Sequence, residues 1–172
     1  AARKKSILIN LSVAGYAIPG AVIAIALLIV GNIFFNISIT NFGLLGLALC
    51  LIIRFLTPLF RYVSSALQGM AESSKKALLT LPTSSLQAFL QIYFPVIKPS
   101  LMVGVLIVFI EVMKEQPATL LLRPIGFDTL SSKIYNFTFE GQWELAATPS
   151  IILIIFSSVA VLLLYKEMNK NE

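Results

Sequence analysis

The longest uncharged stretch in this sequence runs from Ser6 to Ile53, 48 residues without Asp, Glu, Lys or Arg. A soluble domain covers its surface with polar side chains, and about a quarter of its residues are charged. Here the charged fraction is 12% and the mean hydropathy is +0.90. A chain this apolar collapses or inserts into a bilayer instead of remaining disordered. The run therefore predicts an integral membrane protein.

Apolar segments long enough to cross a bilayer as helices recur along the chain, since a span needs roughly 20 apolar residues. We expect an all-α membrane protein with about four transmembrane helices in a single domain covering residues 1–172. The predicted spans are residues 7–35, 42–60, 99–122 and 149–165. Pro19-Gly20 falls in the middle of the first span, where a kink or a helix break is expected.

The distribution of Lys and Arg predicts the orientation in the membrane. With the N-terminus in the cytoplasm, four spans leave only Arg123 and Lys133 clearly outside. The basic residues on the inside are then Arg3, Lys4, Lys5, Arg61, Lys75, Lys76, Lys98, Lys166 and Lys170. This bias follows the positive-inside rule and predicts that both termini and the loop 61–98 are cytoplasmic. Phe137, Phe139 and Trp143 in the outer segment are typical of an interfacial aromatic belt.

Residue counts exclude several kinds of chemistry. There is no histidine and one cysteine, Cys50, which excludes intrachain disulfides, Cys/His zinc sites and Ser-His-Asp or Cys-His catalysis. No Gly-rich phosphate loop is present, so we expect no cofactor in this chain and no enzyme. Its basic residues lie at the ends of apolar segments, which argues against nucleic-acid binding.

The predicted cytoplasmic loop 61–98 contains two helical patterns. A first short helix is expected at Lys76–Leu81, ending before Pro82, and Ser84 with Gln87 forms a capping-box pattern for a second. Apolar residues then follow at helical spacing and end at a proline: Leu86, Phe89, Leu90, Tyr93 and Pro95. This stripe either packs against the protein's own cytoplasmic ends or the lipid interface, or enters a groove on a partner protein.

Several runs carry a family resemblance. They are residues 15–20 (GYAIPG), 109–124 (FIEVMKEQPATLLLRP), 126–130 (GFDTL) and 140–147 (EGQWELAA). In this order and spacing they resemble the inner-membrane permease subunits of bacterial ABC importers, specifically the ferric-iron branch. The family's loop motif begins with Glu-Ala-Ala, and its counterpart here is Lys76-Ala77-Leu78, with Pro82 at the position of the family's glycine. The loop thus keeps Ala77 and the final proline but lacks the acidic residue.

The resemblance implies a type I permease subunit without catalytic chemistry of its own, in the bacterial inner membrane. Its implied partners are an ABC ATPase subunit bound through the coupling loop, a second permease half, and a periplasmic or lipid-anchored substrate-binding protein. Members of the iron branch often fuse two halves, so we interpret the chain as the C-terminal part of one half. Alternatives are a permease for sulfate, polyamine or another small solute, or a membrane scaffold without transport activity.

Three charged residues interrupt the third predicted span: Glu111, Lys114 and Glu115. They share one helix face, and Glu111 can reach Lys114. Each charge at mid-bilayer costs roughly 2.5–3.5 kcal/mol, so they are expected to face the bundle interior or a wet cavity. We predict that they line the translocation pathway or its outer gate. In the alternative, the span ends near Met113 and the charges lie at the outer interface.

Oxygen ligands for ferric iron, a hard cation, could come from Glu111, Glu115 and Asp128, and the sequence leaves any metal site undefined. Arg54 is a further charge inside the second span. We expect its side chain to snorkel toward the cytoplasmic face. The alternative is a pair with an acidic residue of a neighbouring segment, with Glu72 as the first candidate.

Overall fold

The computed structural model describes residues 15–36, 39–70 and 85–169, and the regular structure in these ranges is helical. A π-helical turn at Phe89–Tyr93 joins the third helix to the fourth. The α-helices are α1 Gly20–Phe35, α2 Ile39–Gln68, α3 Ser85–Ala88, α4 Phe94–Lys114, α5 Pro117–Leu122, α6 Leu130–Phe139 and α7 Trp143–Asn169. The predicted all-α membrane fold is confirmed.

Three helical segments are long and apolar enough to cross a membrane: Gly43–Gln68, Phe89–Lys114 and Trp143–Asn169. They correspond to the second, third and fourth predicted spans. The first predicted span is represented by α1, a shorter apolar helix, and its residues 7–14 lie outside the described residues. The predicted number of four spanning helices therefore remains a prediction.

Three prolines at or near the ends of predicted spans lie inside helices. Pro58 is within α2, Pro99 within α4 and Pro149 within α7. Each proline removes one backbone hydrogen bond, but packing between apolar helices can retain the helix across it. The helix α2 consequently continues past residue 60, the predicted end of its span. The helices α4 and α7 begin before residues 99 and 149, the predicted starts of theirs.

The prediction that Pro95 ends the apolar run of the loop was wrong. Helix α4 begins at Phe94, directly after the π-turn, so Pro95 occupies its first turn. A proline is tolerated there because its missing N–H would have no intrahelical acceptor. The predicted helix at Lys76–Leu81 and the capping residue Ser84 lie outside the described residues.

Turns interrupt the helical path at several points, and Gly43 within α2 is itself non-helical (φ 47°, ψ −150°); two of the breaks lie beside the middle of α2. The first is at Ile18–Pro19, between a helical turn at Gly15–Ala17 and α1, and it confirms the break predicted at Pro19-Gly20. The carbonyl oxygen of Pro19 accepts hydrogen bonds from the N–H groups of Val22 (3.0 Å) and Ile23 (3.3 Å), so the proline caps the new helix.

The second break separates α4 from α5, where Glu115 is extended (φ −70°, ψ 113°) and Pro117 is in the first turn of α5. In an uninterrupted helix, the ring of Pro117 would clash with the carbonyl group of Met113. The helix α4 thus ends at the charged residues, as the alternative for the third span expected. The chain nevertheless continues inside the bundle, because α5 packs against α1 and α2.

A buried apolar cluster holds α1, α2 and α5 together. It consists of Ile23, Ala24, Leu47, Cys50, Ala118 and Leu122. The long helix α2 also packs along α4, which in turn contacts α7, and α6 packs on α7. The helices α1 and α5, each of which follows a break, therefore share one core with the long helix α2. Both breaks face the same part of α2.

The helix α4 comes close to α2 at Gly104. A Cβ atom there would lie 3.0 Å from Leu59 Cδ1 and 3.5 Å from Leu59 Cα. These distances leave no room for a larger side chain, because a leucine would have to push the two helices apart.

We expect Gly104→Leu to lower the free energy of unfolding by about 1–3 kcal/mol through overpacking. Thermal denaturation in detergent, followed by circular dichroism, measures this as a lower melting temperature. The matched control is Val105→Leu, because Val105 is 48% exposed on the other side of α4 and should tolerate the change. Equal melting temperatures for both variants would contradict the close packing.

Candidate functional site

An ion pair between Arg54 of α2 and Glu115 lies where the two breaks meet α2. Arg54 Nη1 donates to Glu115 Oε2, and the side chains are 22% and 5% exposed. The expectation that Arg54 snorkels toward the cytoplasm was therefore wrong. The alternative, a pair with an acidic residue of a neighbouring segment, is present: among the described residues the partner is Glu115, 61 positions further along the chain, and the first candidate, Glu72, lies outside the described residues.

Glu115 also satisfies the backbone of the break. Its Oε1 accepts from the N–H of Ala118 at 3.2 Å, in the first turn of α5. Its carbonyl oxygen accepts from the hydroxyl groups of Thr119 and Ser131, each at 3.0 Å. One residue thus connects α2, α5 and α6.

A cavity of about 410 Å³ surrounds this ion pair. Its lining residues are Pro19, Gly20, Ala21, Arg54, Glu111, Lys114, Glu115 and Pro117. The predicted contact between Glu111 and Lys114 is present at 2.8 Å, with both side chains more exposed than Glu115. The structure therefore brings Glu111, Lys114 and Glu115 to one cavity and adds Arg54, so that two cations face two carboxylates.

The start of α1 closes one side of the cavity. A Cβ atom on Gly20 would overlap both the Arg54 guanidinium group and the Glu115 carboxylate. The absence of a side chain at Gly20 is what lets α1 begin next to the ion pair. Gly20 therefore matters for this contact and not only for the kink.

Asp128 lies apart from the cavity. It forms an ion pair with Arg123 and accepts hydrogen bonds from Ser132 at 3.2 Å and Asn136 at 3.5 Å. Among the described residues, no three His, Cys, Asp or Glu side chains group closely enough to hold a metal ion. Asp128 therefore does not share the cavity of Glu111 and Glu115; its contacts hold the segment before α6.

A second cavity, of about 440 Å³, lies further along α2. It is lined by Tyr16, Ala17, Thr57, Pro58, Arg61, Tyr62, Ser65 and Ile107. From the sequence, Arg61 was predicted only as a marker of the cytoplasmic side, and Tyr16 and Tyr62 were given no role in a site. The signal was nevertheless present, because Arg54, Thr57, Arg61 and Ser65 recur at intervals of three or four on an apolar helix.

The apolar stripe proposed for partner contact is only partly described. Leu86, Phe89 and Leu90 are 67%, 46% and 54% exposed, whereas Tyr93 is half-buried and Pro95 exposed. The remaining predicted coupling residues, Lys76, Ala77 and Pro82, lie outside the described residues. These three side chains are therefore not buried against the described part of the chain.

Comparison with known families identifies the architecture. Residues 2–167 match the family described as binding-protein-dependent transport system inner membrane component. The chain belongs to this family. It is therefore a multi-pass membrane component of a transport system, as its three apolar helices also indicate, and members of this family are transport subunits.

Curated relatives of this permease chain are named for ferric iron. It is 27% identical over 151 residues to a Fe(3+)-transport system permease protein of Haemophilus influenzae, covering 88% of this chain and 29% of the relative. It is 29% identical over 126 residues to a ferric transport system permease protein of Actinobacillus pleuropneumoniae, covering 72% of this chain and 18% of the relative. The chain thus spans less than a third of either relative. No solved structure matches it.

Removing the charge of Glu115 should destabilise this permease strongly. In Glu115→Gln the amide oxygen can still accept from Ala118, but Arg54 is left as an uncompensated buried cation. We expect the free energy of unfolding to fall by about 3–5 kcal/mol, measured by denaturant titration of the detergent-solubilised protein.

The matched control is Glu111→Gln, whose partner Lys114 is 54% exposed, and which should change stability by no more than about 0.5 kcal/mol. The double variant Arg54→Met/Glu115→Gln should recover most of the loss, because no buried charge remains. If Glu115→Gln unfolded like Glu111→Gln, the ion pair would not be a stabilising contact.

Proposed function

We propose that this chain is part of the membrane-spanning permease of an ATP-driven importer that moves ferric iron across the bacterial inner membrane. The observation that carries this proposal is the charged cavity at the two helix breaks, inside a chain of the transport family. Polar groups within a membrane segment are costly and usually mark a substrate path. The ferric names of both relatives support iron as the substrate.

In this function the Arg54–Glu115 pair acts as a gate. The discontinuous segments before α1 and after α4 meet at the pair, which is the arrangement in which small rotations open a path between helices. Glu111 and Lys114 line the same cavity and make transient contacts with the substrate. Tight, fixed ligation would oppose release, which agrees with the lack of a three-ligand cluster among the described residues.

Three partners follow from this function. An ABC ATPase subunit supplies hydrolysis and binds the segment between α2 and α4, where Leu86 of α3 and Phe89 and Leu90 of the π-helical turn are exposed. A second permease half completes the pathway, and a substrate-binding protein delivers iron from outside. The positive-inside distribution supports cytoplasmic termini and a cytoplasmic position for this loop.

The gate assignment predicts a transport defect. In the reconstituted full transporter, Glu115→Gln should raise basal ATPase activity and lower iron uptake per ATP several-fold, because the resting state loses its ion pair. Glu111→Gln should lower uptake with a smaller effect on ATPase activity. Uptake of labelled iron into proteoliposomes and phosphate release measure the two quantities.

The matched control is Glu144→Gln, since Glu144 is exposed at the start of α7 and lies outside this cavity. It should leave both rates unchanged. If Glu111→Gln and Glu115→Gln each behaved like this control, the gate assignment would be wrong.

The coupling assignment predicts loss of ATPase binding. Phe89→Asp places a charge on the exposed stripe, and Leu86→Pro interrupts α3; each should greatly reduce copurification of the ATPase subunit with the permease. Ile125→Asp is the control, because Ile125 is 94% exposed in the segment between α5 and α6. Undiminished copurification with both stripe variants would remove the docking role of this segment.

A further inference from the structure

One face of α2 carries an unusual row of polar side chains. We call Arg54, Thr57, Arg61, Tyr62 and Ser65 the α2 polar stripe. Arg54 and Arg61 are seven positions apart, which places them about two turns, or about 10 Å, apart on the same face. The stripe begins in the ion-pair cavity and continues along the second cavity, so the two cavities follow one another along α2.

The chemistry of the second cavity differs from that of the first. Among the described residues that line it, Arg61 is the charged side chain, and the others that can hydrogen-bond through their side chains are hydroxyl-bearing: Tyr16, Thr57, Tyr62 and Ser65. No carboxylate is among these described lining residues. A guanidinium group with surrounding hydroxyl donors binds oxyanions, because its fork of N–H groups matches two oxygen atoms.

The arginine of the first cavity has spare donor capacity. Within the described part of the chain, Arg54 Nε is buried without a hydrogen-bond partner, although its Nη1 is paired with Glu115. A buried donor without an acceptor is costly. A rotation of the Arg54 side chain that brought Nε to an oxyanion in the cavity would relieve that cost, so both arginines of the stripe favour an anionic ligand.

These properties are unsuited to a bare trivalent cation. Ferric iron would be repelled by Arg61, with no carboxylate of the described lining to offset the repulsion. Iron that carries an oxyanion would instead present oxygen atoms to the arginines, and ferric iron prefers such hard oxygen ligands. We propose that the second cavity is an oxyanion site and that iron passes the α2 polar stripe as a ferric–oxyanion complex.

This inference rests on the proposed function, and dual-label transport separates the two. The full transporter, with its ATPase, second half and binding protein, is reconstituted with ATP available to the ATPase. Two probes are supplied in parallel: ⁵⁵Fe(III) with [¹⁴C]citrate, and ⁵⁵Fe(III) with [³²P]phosphate. Accumulation of iron together with one of these anions, in a constant ratio, is the expected result.

The outcomes point to different failures. Iron that accumulates without either anion would overturn the oxyanion site and leave the proposed function intact; it is also the result expected if Arg61 binds only a phospholipid headgroup. An anion that accumulates without iron would overturn the ferric complex and the ferric substrate together. If neither accumulates, the proposed function fails and the inference fails with it.

Variants of Arg61 test the site itself. Arg61→Gln should lower uptake of both labels roughly tenfold, which corresponds to the loss of about one charge-assisted hydrogen bond. Arg61→Lys should have an intermediate effect, because lysine keeps the positive charge but lacks the paired N–H donors of the guanidinium group. The control is Lys166→Gln, which removes a positive charge near the end of α7, away from the second cavity. Should Arg61→Gln fail to assemble, Arg61→Lys decides. Uptake by an assembled Arg61 variant equal to that of Lys166→Gln would overturn the site.

Discussion

The Arg54–Glu115 ion pair is the contact on which the arrangement of the other helices depends. Either charge alone inside a membrane segment would cost several kcal/mol, and removing one partner of a buried pair is strongly destabilising. The two residues lie on α2 and at the end of α4, so these helices must pack with a fixed offset along their axes. Gly20 then allows α1 to begin against the pair. Three segments are thereby fixed by one interaction that is not hydrophobic.

The same residue explains why the third span can be broken. Where a helix stops inside an apolar environment, its free N–H and C=O groups need partners other than water. Glu115 provides an acceptor to the N–H of Ala118 and, through its carbonyl oxygen, accepts the hydroxyl groups of Thr119 and Ser131. Pro117 causes the break, and Glu115 supplies hydrogen-bond partners to the groups that the break leaves free. Separating Arg54 from Glu115 would disturb the position of a carboxylate that also caps α5, so a change at the pair extends to α5 and α6.

Much of the class and part of the site could be predicted from sequence. The uncharged run indicates a membrane protein, Pro19 indicates a break, and the spacing of Glu111 and Lys114 indicates their contact. These signals are local, and each depends on residues within a few positions. The partner of Arg54 could not be found in this way, because it lies 61 positions away and the pairing depends on how α2 and α4 are offset.

Other errors have the same physical origin. The predicted spans began or ended at or near Pro58, Pro99 and Pro149, but packing between neighbouring helices can retain each helix across its proline. The helix α6 was not predicted, although Thr129 and Ser132 form a reciprocal capping box at its start. That signal is local but easily missed in a short segment of mixed polarity. The α2 polar stripe was similarly visible in the spacing, but its meaning depends on the cavities beside it.

The composition of the first cavity bears on how a substrate would open the proposed gate. A ligand shifts a conformational equilibrium only by its difference in affinity for the two states. A bare cation that binds Glu115 would leave Arg54 as an unpaired buried charge, and a free anion that binds Arg54 would leave Glu115 unpaired. For either ligand, much of the binding free energy would be offset by the cost of leaving the other charge of the pair unpaired. A ferric–oxyanion complex could offer metal to the carboxylate and oxygen to the guanidinium at the same time. Such a complex would separate the pair without abandoning either charge, so the ion pair itself would discriminate against cargo that lacks one of its two components.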